Sequence, residues 1–247
     1  IGVLRLINNP IVKKRNLPKY VKKLLREEKW LSKKKFNNLY LVGGTWRSLF
    51  KLHLFQNNHP VHIIHQYSID KSTLSKFVEK VSSFNKSKLK TVEYISKSRT
   101  QFLPYSSIIL DEIMSITNPK KIICSISGLR EGSLSIDHFK NTKESEIFTK
   151  SIEYIALKRG DLGSTYQKYF KFILPVFDGN EHYNKKLLHL ACVLSHMDWG
   201  LGAFQKAELV FQETLNTPLL RLTHKERIQL ALSCYWRYCS IKYNPKF

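Results

Sequence analysis

The sequence predicts an α/β domain followed by an all-helical domain. Up to residue 136, short apolar runs typical of strands alternate with helical patterns, whereas every pattern from about residue 144 onward is helical. The 247-residue chain is 43% hydrophobic, which suffices for two buried cores. We therefore expect an α/β domain over residues 1–137, a helical domain over residues 145–247, and a boundary near residues 138–145.

Four apolar runs predict the strands of the first domain. They are VLRLI, LYLV, VHIIHQYSI and KIICSIS. The segment PYSSIILDEIMSIT predicts a helix, with Pro104 in its first turn. One face of this helix carries Tyr105, Ile108, Ile109, Ile113 and Ile116.

Five segments with helical spacing predict the second domain. They are IFTKSIEYIALKR, STYQKYFKFILPVF, YNKKLLHLACVLSHM, AFQKAELVFQETL and THKERIQLALSCYWRYCSI. The last segment opens with a capping box from Thr223 to Glu226, which fixes the start of its helix.

Two glycines interrupt the run LYLVGGTWRSLFKLHL. Leu39–Val42 predict a buried strand, Gly43 and Gly44 the turn, and Thr45 the N-cap of the following helix. Glycine lets the backbone approach a ligand closely, and the free N–H groups at a helix N-terminus attract anions. The pattern predicts a phosphate site at this corner, with ordinary turn chemistry as the alternative.

A second corner of the same type follows KIICSIS. Gly128 predicts the turn, and Arg130 and Glu131 fall in the first turn of a short helix. Open α/β sheets bind ligands outside the carboxyl ends of their strands, so we expect both corners to face one crevice. Arg130 suits bidentate binding of a phosphate, with an intramolecular ion pair as the alternative. The candidate phosphate-binding residues are Gly43, Gly44, Thr45, Arg130 and Glu131.

The chain carries a formal net charge of +22, which favours a polyanionic partner. Residues 1–40 hold twelve Lys or Arg and only two Glu. Within them, Lys33, Lys34 and Lys35 form a candidate polyanion surface, with a solvated helix face as the alternative. Aromatic residues interleave with these lysines, which also suits single-stranded nucleic acid, but the sequence contains no recognised nucleic-acid-binding motif.

Further along the chain, the order and spacing of several motifs match a known family. GGTWRSLFKLHL, HPVHIIHQYSI, R-x-x-x-LPYSSIILDEI and ICSISGLREGSL follow one another, and HLACVLSHMDWG and THKER-x-x-LALSCYWRY follow in the helical part. In these motifs the chain resembles the exopolyphosphatase and guanosine pentaphosphate phosphohydrolase family, especially its alphaproteobacterial branch. The resemblance covers nearly the whole sequence.

The resemblance implies an actin-like, ribonuclease H-like ATPase fold of two lobes that close on the phosphate chain, followed by an HD-like helical domain. Residues 1–137 would be the second lobe. The first lobe, with its phosphate loop and the carboxylate that acts as general base, would lie outside this chain. The family also implies Mg²⁺ as cofactor and either the first lobe or a second copy as partner.

The metal-binding pattern of HD-type enzymes is altered here. They hold metal through a His and an Asp in a stretch like LLHDIG, but VLSHMDWG places Ser195 and His196 at those positions. His189 and Asp198 are nine residues apart on a predicted helix, and His62 and His65 would point to opposite faces of a predicted strand. We therefore expect no metal site in the chain itself.

The resemblance thus implies part of a hydrolase that cleaves terminal phosphoanhydride bonds of polyphosphate or of guanosine penta- or tetraphosphate, and we expect it in the cytoplasm. The chain would supply one phosphate-binding wall and the helical domain, without a complete catalytic site. A non-catalytic remnant or a basic nucleic-acid-binding module is the alternative. No apolar run approaches the length of a membrane helix.

Overall fold

The structure is a computed structural model that describes residues 2–10, 14–33, 36–90, 95–160, 165–177, 184–194, 200–219 and 222–246. The chain divides into two compact units, Ile1–Glu131 and Gly132–Phe247. None of the helices in the described part of the chain combines the length and the apolar character that crossing a membrane requires.

The first unit contains short helices around a small sheet. Its elements are α1 (Val3–Ile7), α2 (Leu17–Glu27), α3 (Lys29–Lys33), β1 (Asn38–Val42), α4 (Gly44–Gln56), β2 (Ser68–Asp70), α5 (Lys71–Ser82), α6 (Lys86–Lys90), α7 (Lys97–Thr100), α8 (Leu103–Thr117), β3 (Lys121–Ser125) and the start of α9 (Leu129–His138). The predicted strands LYLV and KIICSIS are confirmed as β1 and β3, and the predicted helix PYSSIILDEIMSIT as α8.

The three strands are arranged in the order β1-β3-β2. β1 pairs with β3 in parallel, whereas β2 pairs with β3 in antiparallel orientation. Alternate residues of β1 face the core, so Leu41 is buried while Tyr40 and Val42 are about half exposed. β1 is therefore an edge strand with one face open to solvent.

Helix α8 is buried on two faces. Leu103, Leu110 and Met114 pack into the main core together with β3 and α4. The predicted apolar face packs instead with α1 and α2, around the buried Ile109. Because α8 contributes buried side chains to both apolar clusters, it joins the sheet to the N-terminal helices.

The predicted first strand is wrong, because VLRLI forms helix α1. The Leu6 N–H donates to the Gly2 carbonyl at 3.0 Å, and the Leu6 side chain packs with Leu17 and Val21. A five-residue apolar run satisfies a helical and a strand pattern equally well, so the decision depends on the neighbouring α2.

The predicted strand VHIIHQYSI is right only at its end, Ser68–Asp70. The Val61 N–H donates to His59 Nδ1 at 3.1 Å, and Gln66 has a φ of +59°. Both features prevent these residues from forming the regular backbone hydrogen bonds of a β-sheet. His62 and His65 consequently lie in irregular chain, so their predicted places on opposite faces of a strand are also wrong.

The secondary-structure elements among the described residues of the second unit are all helices. The unit contains most of α9 and α10 (Glu144–Lys158), α11 (Thr165–Ile173), α12 (Lys185–Leu194), α13 (Ala203–Asn216) and α14 (His224–Trp236). These elements confirm the five predicted helical segments over their described residues, except that the last helix ends at Trp236, before the end of its predicted segment. Residues 164, 183 and 195–197 of the predicted segments lie outside the described residues. The capping box is confirmed as well, since Thr223 Oγ1 accepts from the Glu226 N–H and Glu226 accepts from the Thr223 N–H.

A buried arginine joins the last two helices. Arg227 of α14 is 2% exposed and donates to the carbonyl oxygens of Leu215 and Leu219, each at 3.2 Å. Burial lowers the pKa of Arg227 to about 10. The guanidinium satisfies carbonyl groups that the end of α13 leaves without helical partners.

Candidate functional site

The two predicted corners lie side by side. β1 and β3 are parallel neighbours, with Val42 opposite Ser125 at their carboxyl ends. A Cβ placed on Gly128 would lie 3.7 Å from Val42 Cγ1. The turn after β1 and the turn after β3 therefore share one edge of the sheet, as predicted.

Gly43 begins the first corner in a conformation that other residues rarely adopt. Its φ is +125° and its ψ is 160°, a combination essentially restricted to glycine. The helix starts at Gly44 with Gly43 as N-cap, so the predicted N-cap role of Thr45 is wrong. Thr45 lies within the first turn, because the helix begins two residues earlier than predicted.

The guanidinium of Arg99 lies directly over Gly44. A Cβ built on Gly44 would be 2.9 Å from Arg99 Cζ and 3.1 Å from each terminal nitrogen. Among the described residues no carboxylate is ion-paired with Arg99, which is exposed. The first turn of α4 thus carries a cation close to its backbone, and a larger residue at position 44 would require the Arg99 side chain to shift.

Sequence reasoning did not identify Arg99 as a site residue. It is 55 positions from Gly44 and reaches it only through the packing of α7 against α4. The available signal was its place at the head of the motif R-x-x-x-LPYSSIILDEI. Periodicity does not reveal such a contact, because it concerns neighbours within one element.

At the second corner, Glu131 holds the turn closed. The Gly128 N–H donates to Glu131 Oε2 at 2.6 Å. This bond holds the pKa of the Glu131 carboxyl below its usual value, and Arg130 and Arg47 act in the same direction. Glu131 therefore serves as an acceptor for the turn, while Arg130 at its side is exposed.

Arg47 connects the two corners electrostatically. It lies one turn into α4, where its N–H donates to the Gly43 carbonyl at 3.1 Å. Its charge acts on Glu131 and on the thiol of Cys124. Its Nε is buried without a hydrogen-bond partner among the described residues. Arg47 and Arg130 thus act on the carboxylate of Glu131, and Arg99 lies against Gly44 at the neighbouring corner.

Other predicted positions lie partly outside the described residues. Lys34 and Lys35 lie outside them, and so do Ser195, His196 and Asp198. Lys33 ends α3, but its side chain is not described. The predicted polyanion surface therefore stays a prediction.

His189 belongs to the second unit. Its ring stacks against Phe170 and Tyr166, with centroid distances of 4.4 and 5.5 Å. Burial lowers the pKa of His189, and Lys185 adds to this effect. The described residues form no group of three or more His, Cys, Asp or Glu side chains suited to a metal ion.

Comparison with known proteins gives a family match and several structural likenesses. A profile of the Ppx/GppA phosphatase family matches residues 1–139. The crystal structure of the Aquifex aeolicus member of the Ppx/GppA protein family has 21% identity and a TM-score of 0.45, covering 58% of this chain and 48% of that one. The A. aeolicus PPX-GPPA enzyme has 19% identity and a TM-score of 0.43, covering 54% and 46%. No curated protein matches the chain.

The chain therefore spans about half the length of these solved structures, since it covers 48% and 46% of them. The family profile, in contrast, covers more than half of the 247 residues and includes both glycine corners. This match confirms the resemblance seen in the sequence motifs. The chain belongs to the Ppx/GppA phosphatase family.

Proposed function

We propose that this chain supplies one phosphate-binding wall of a hydrolase that cleaves terminal phosphoanhydride bonds of polyphosphate or guanosine pentaphosphate. One observation carries the proposal: two glycine corners share a sheet edge and bring Arg47, Arg99 and Arg130 to it, while the described carboxylate there, Glu131, is already hydrogen-bonded to Gly128. Such an excess of guanidinium groups favours a ligand with several negative charges. Family membership supports phosphate esters and anhydrides as the ligand class.

Each residue of the wall has a distinct part in this proposal. Gly44 lets a phosphate oxygen reach the backbone of the first turn of α4, and Arg99 closes over the same turn. Arg130 binds a further oxygen from the second corner. Glu131 positions Arg130 by holding the Gly128 turn. Thr45 contributes the backbone N–H of the first turn, rather than a capping hydroxyl.

Hydrolysis requires more than this wall. Phosphoryl transfer depends on positive charge from several sides and on a group that orients or deprotonates water. Glu131 is committed to Gly128, so the described residues of the two corners provide no available base. We propose that the base comes from a first lobe, with residues 1–137 acting as the second lobe of an actin-like fold and residues 145–247 as an HD-like domain.

The family implies Mg²⁺, but the described residues at the corners do not fit a protein-bound ion. Mg²⁺ prefers carboxylate and other oxygen ligands, whereas the groups here are guanidinium nitrogens and a single hydrogen-bonded carboxylate. No step proposed for this chain therefore involves the metal. The proposed partners are the polyphosphate or guanosine polyphosphate ligand and a first lobe or second copy, and the proposed compartment is the cytoplasm.

Binding of inorganic polyphosphate tests the wall. Gly44→Val inserts a side chain where Arg99 now lies, so we expect it to abolish binding measured by calorimetry at fixed salt. Arg99→Ala should weaken binding by about tenfold or more, because charge-assisted hydrogen bonds contribute roughly 1.5–3 kcal/mol. Arg5→Ala in α1 removes the same charge from an exposed site and serves as the matched control.

Two results would contradict the proposed phosphate-binding wall. One is equal polyphosphate binding by Gly44→Val and the original chain, with unchanged circular dichroism. The other is an equal loss for Arg5→Ala and Arg99→Ala, which would indicate diffuse attraction to the net charge instead of a site.

Phosphate release tests the proposal that the catalytic base comes from a separate first lobe. The purified chain should release no phosphate from polyphosphate or guanosine pentaphosphate above the uncatalysed rate, with or without Mg²⁺. Addition of a family first lobe in trans should restore turnover. Robust turnover by the chain alone, lost in Arg130→Ala, would show that a complete site exists here. Absence of turnover under both conditions would favour a purely binding role.

A further inference from the structure

A cavity in the helical unit combines cationic and aromatic side chains. It has a volume of about 570 Å³ and opens along α10, with Phe139 and Pro218 among the residues on its other walls. All of its lining residues belong to the second unit. None of the residues of the glycine corners lines it.

Two rows of α10 side chains line this cavity. Lys150, Tyr154 and Lys158 are four residues apart and therefore form one row along the helix, about 12 Å from end to end. Ser151, Ile155 and Arg159 form the adjacent row. The first row presents an aromatic ring between two ammonium groups.

The charges of the two rows are balanced differently. Arg159 is paired with Glu213 at 2.9 Å and also donates to the Leu194 carbonyl. Lys150 donates to the neutral Thr142 hydroxyl at 3.0 Å, and the Lys158 ammonium lies 5.0 Å from the centre of the Tyr154 ring. No carboxylate lies among the described residues that line the cavity. The first row therefore retains two positive charges.

From this arrangement we infer that the helical unit binds a nucleoside phosphate in this cavity. Tyr154 is 56% exposed and, with Phe139 and Pro218, gives a planar base apolar and aromatic surface to stack on. Lys150 and Lys158 provide charge for phosphate at either end of the row. A bare phosphate chain would leave the aromatic and apolar surface unused.

The size of the cavity supports a small molecule over a polymer. Small-molecule sites typically enclose about 300–1,000 Å³, and the volume of this cavity, about 570 Å³, lies within that range. The inference concerns a second site, and it does not depend on phosphate binding at the glycine corners.

Calorimetry with GDP and ADP on the full chain tests this site, with inorganic pyrophosphate as the ligand that lacks base and ribose. We expect saturable binding of at least one nucleotide and at least tenfold weaker binding of pyrophosphate. Lys150→Gln/Lys158→Gln should weaken nucleotide binding about tenfold or more, because each lysine supplies a charge-assisted contact. Tyr154→Leu should weaken it several-fold while leaving the charge unchanged.

Matched variants separate this site from the first unit. Lys168→Gln/Lys171→Gln removes the same charge from exposed positions of α11 and should bind nucleotide as the original chain does. Arg5→Ala, at an exposed position of the first unit, should also leave nucleotide binding unchanged. Circular dichroism establishes that each variant is folded.

Three results would overturn the inference. They are the absence of saturable binding of either nucleotide at millimolar concentration, equal nucleotide binding by Lys150→Gln/Lys158→Gln and the original chain, and pyrophosphate binding as tight as that of the nucleotides. The last result would leave an anion site without base recognition.

Discussion

The two glycine corners differ in what holds them in place. Helix α4 follows the first corner and buries six residues, including Leu49 and Phe50 at 0% exposure. Helix α9 follows the second corner and buries none of its residues, with Leu129 88% exposed. The first corner is thus fixed by packing of its helix, and the second by the local hydrogen bond between Gly128 and Glu131.

This difference shows that adjacent turns of similar sequence need not be equally rigid. Packing fixes α4 through many contacts, whereas a single exposed carboxylate is open to competition from water and from anions. We expect the first corner to be preformed and the second to adjust when a phosphate binds beside Arg130. Three comparisons, two of paired substitutions and one of pH dependence, test this contrast.

The largest difference in the free energy of unfolding should come from replacing one large apolar side chain of each helix by alanine. Phe50→Ala should lower the free energy of unfolding by about 3–5 kcal/mol, because it removes a fully buried ring. Leu129→Ala should change it by less than about 0.5 kcal/mol, because its side chain is exposed. Urea denaturation followed by circular dichroism measures both, and similar losses for the two variants would disprove the comparison.

A smaller difference in the free energy of unfolding should come from replacing the glycine of each corner by alanine. Gly43→Ala should destabilise the first unit by about 1–3 kcal/mol, since its φ of +125° is strained for any residue with a Cβ. Gly128→Ala places a Cβ 3.1 Å from the mobile end of Glu131, so a small shift of that side chain should keep the loss under about 1 kcal/mol. A larger loss at Gly128 than at Gly43 would reverse the proposed order of rigidity.

The smallest effects should appear in the pH dependence of folding stability. They should occur at a different pH for each corner. Burial, with a smaller effect of His59, lowers the pKa of His53 in α4 below 6.5. The unfolded state therefore binds more protons, and stability should fall as the pH drops through 6.5 and level off below the folded-state pKa. His53→Gln should remove this component, whereas His62→Gln, at an exposed position, should retain it.

For Glu131 the folded-state pKa is also lowered, but the group is acidic. Its contribution is therefore present above the unfolded value of 4.5 and disappears as the pH falls through the folded-state value. The amide proton shift of Gly128 should report this titration by NMR, with a midpoint below 4.5. A midpoint at or above that value would contradict the hydrogen bond to Glu131.

The features that were predictable from sequence are those with a repeated local pattern. LYLV and KIICSIS are apolar, β-branched or aromatic runs ended by turns, and α8 extends over four turns of consistent spacing. VLRLI was misassigned because five residues are too few to distinguish the apolar repeat of a helix from that of a strand. The N-cap was misassigned because an unusual glycine φ, invisible in sequence, begins α4 at Gly44 instead of after Thr45.

Parts of the candidate site were predictable for the same reason. Gly43, Gly44, Gly128 and Arg130 occupy turns that sequence marks directly, and two parallel strands bring those turns together. The contact of Arg99 with Gly44 was not predictable by these means, because it joins segments distant in sequence. The actual role of Glu131 was also missed, since its sequence position does not show which N–H it accepts from.

The open edge of β1 has a practical consequence for handling the protein. β1 has no second strand partner among the described residues, and Tyr40 and Val42 are exposed, so it offers backbone groups to a strand of another molecule, which is a common start of aggregation. The net charge of +22 opposes such encounters by mutual repulsion. Salt weakens that repulsion beyond a Debye length of about 8 Å at physiological ionic strength. We therefore expect concentrated solutions to stay clear longer in dilute buffer than in high salt.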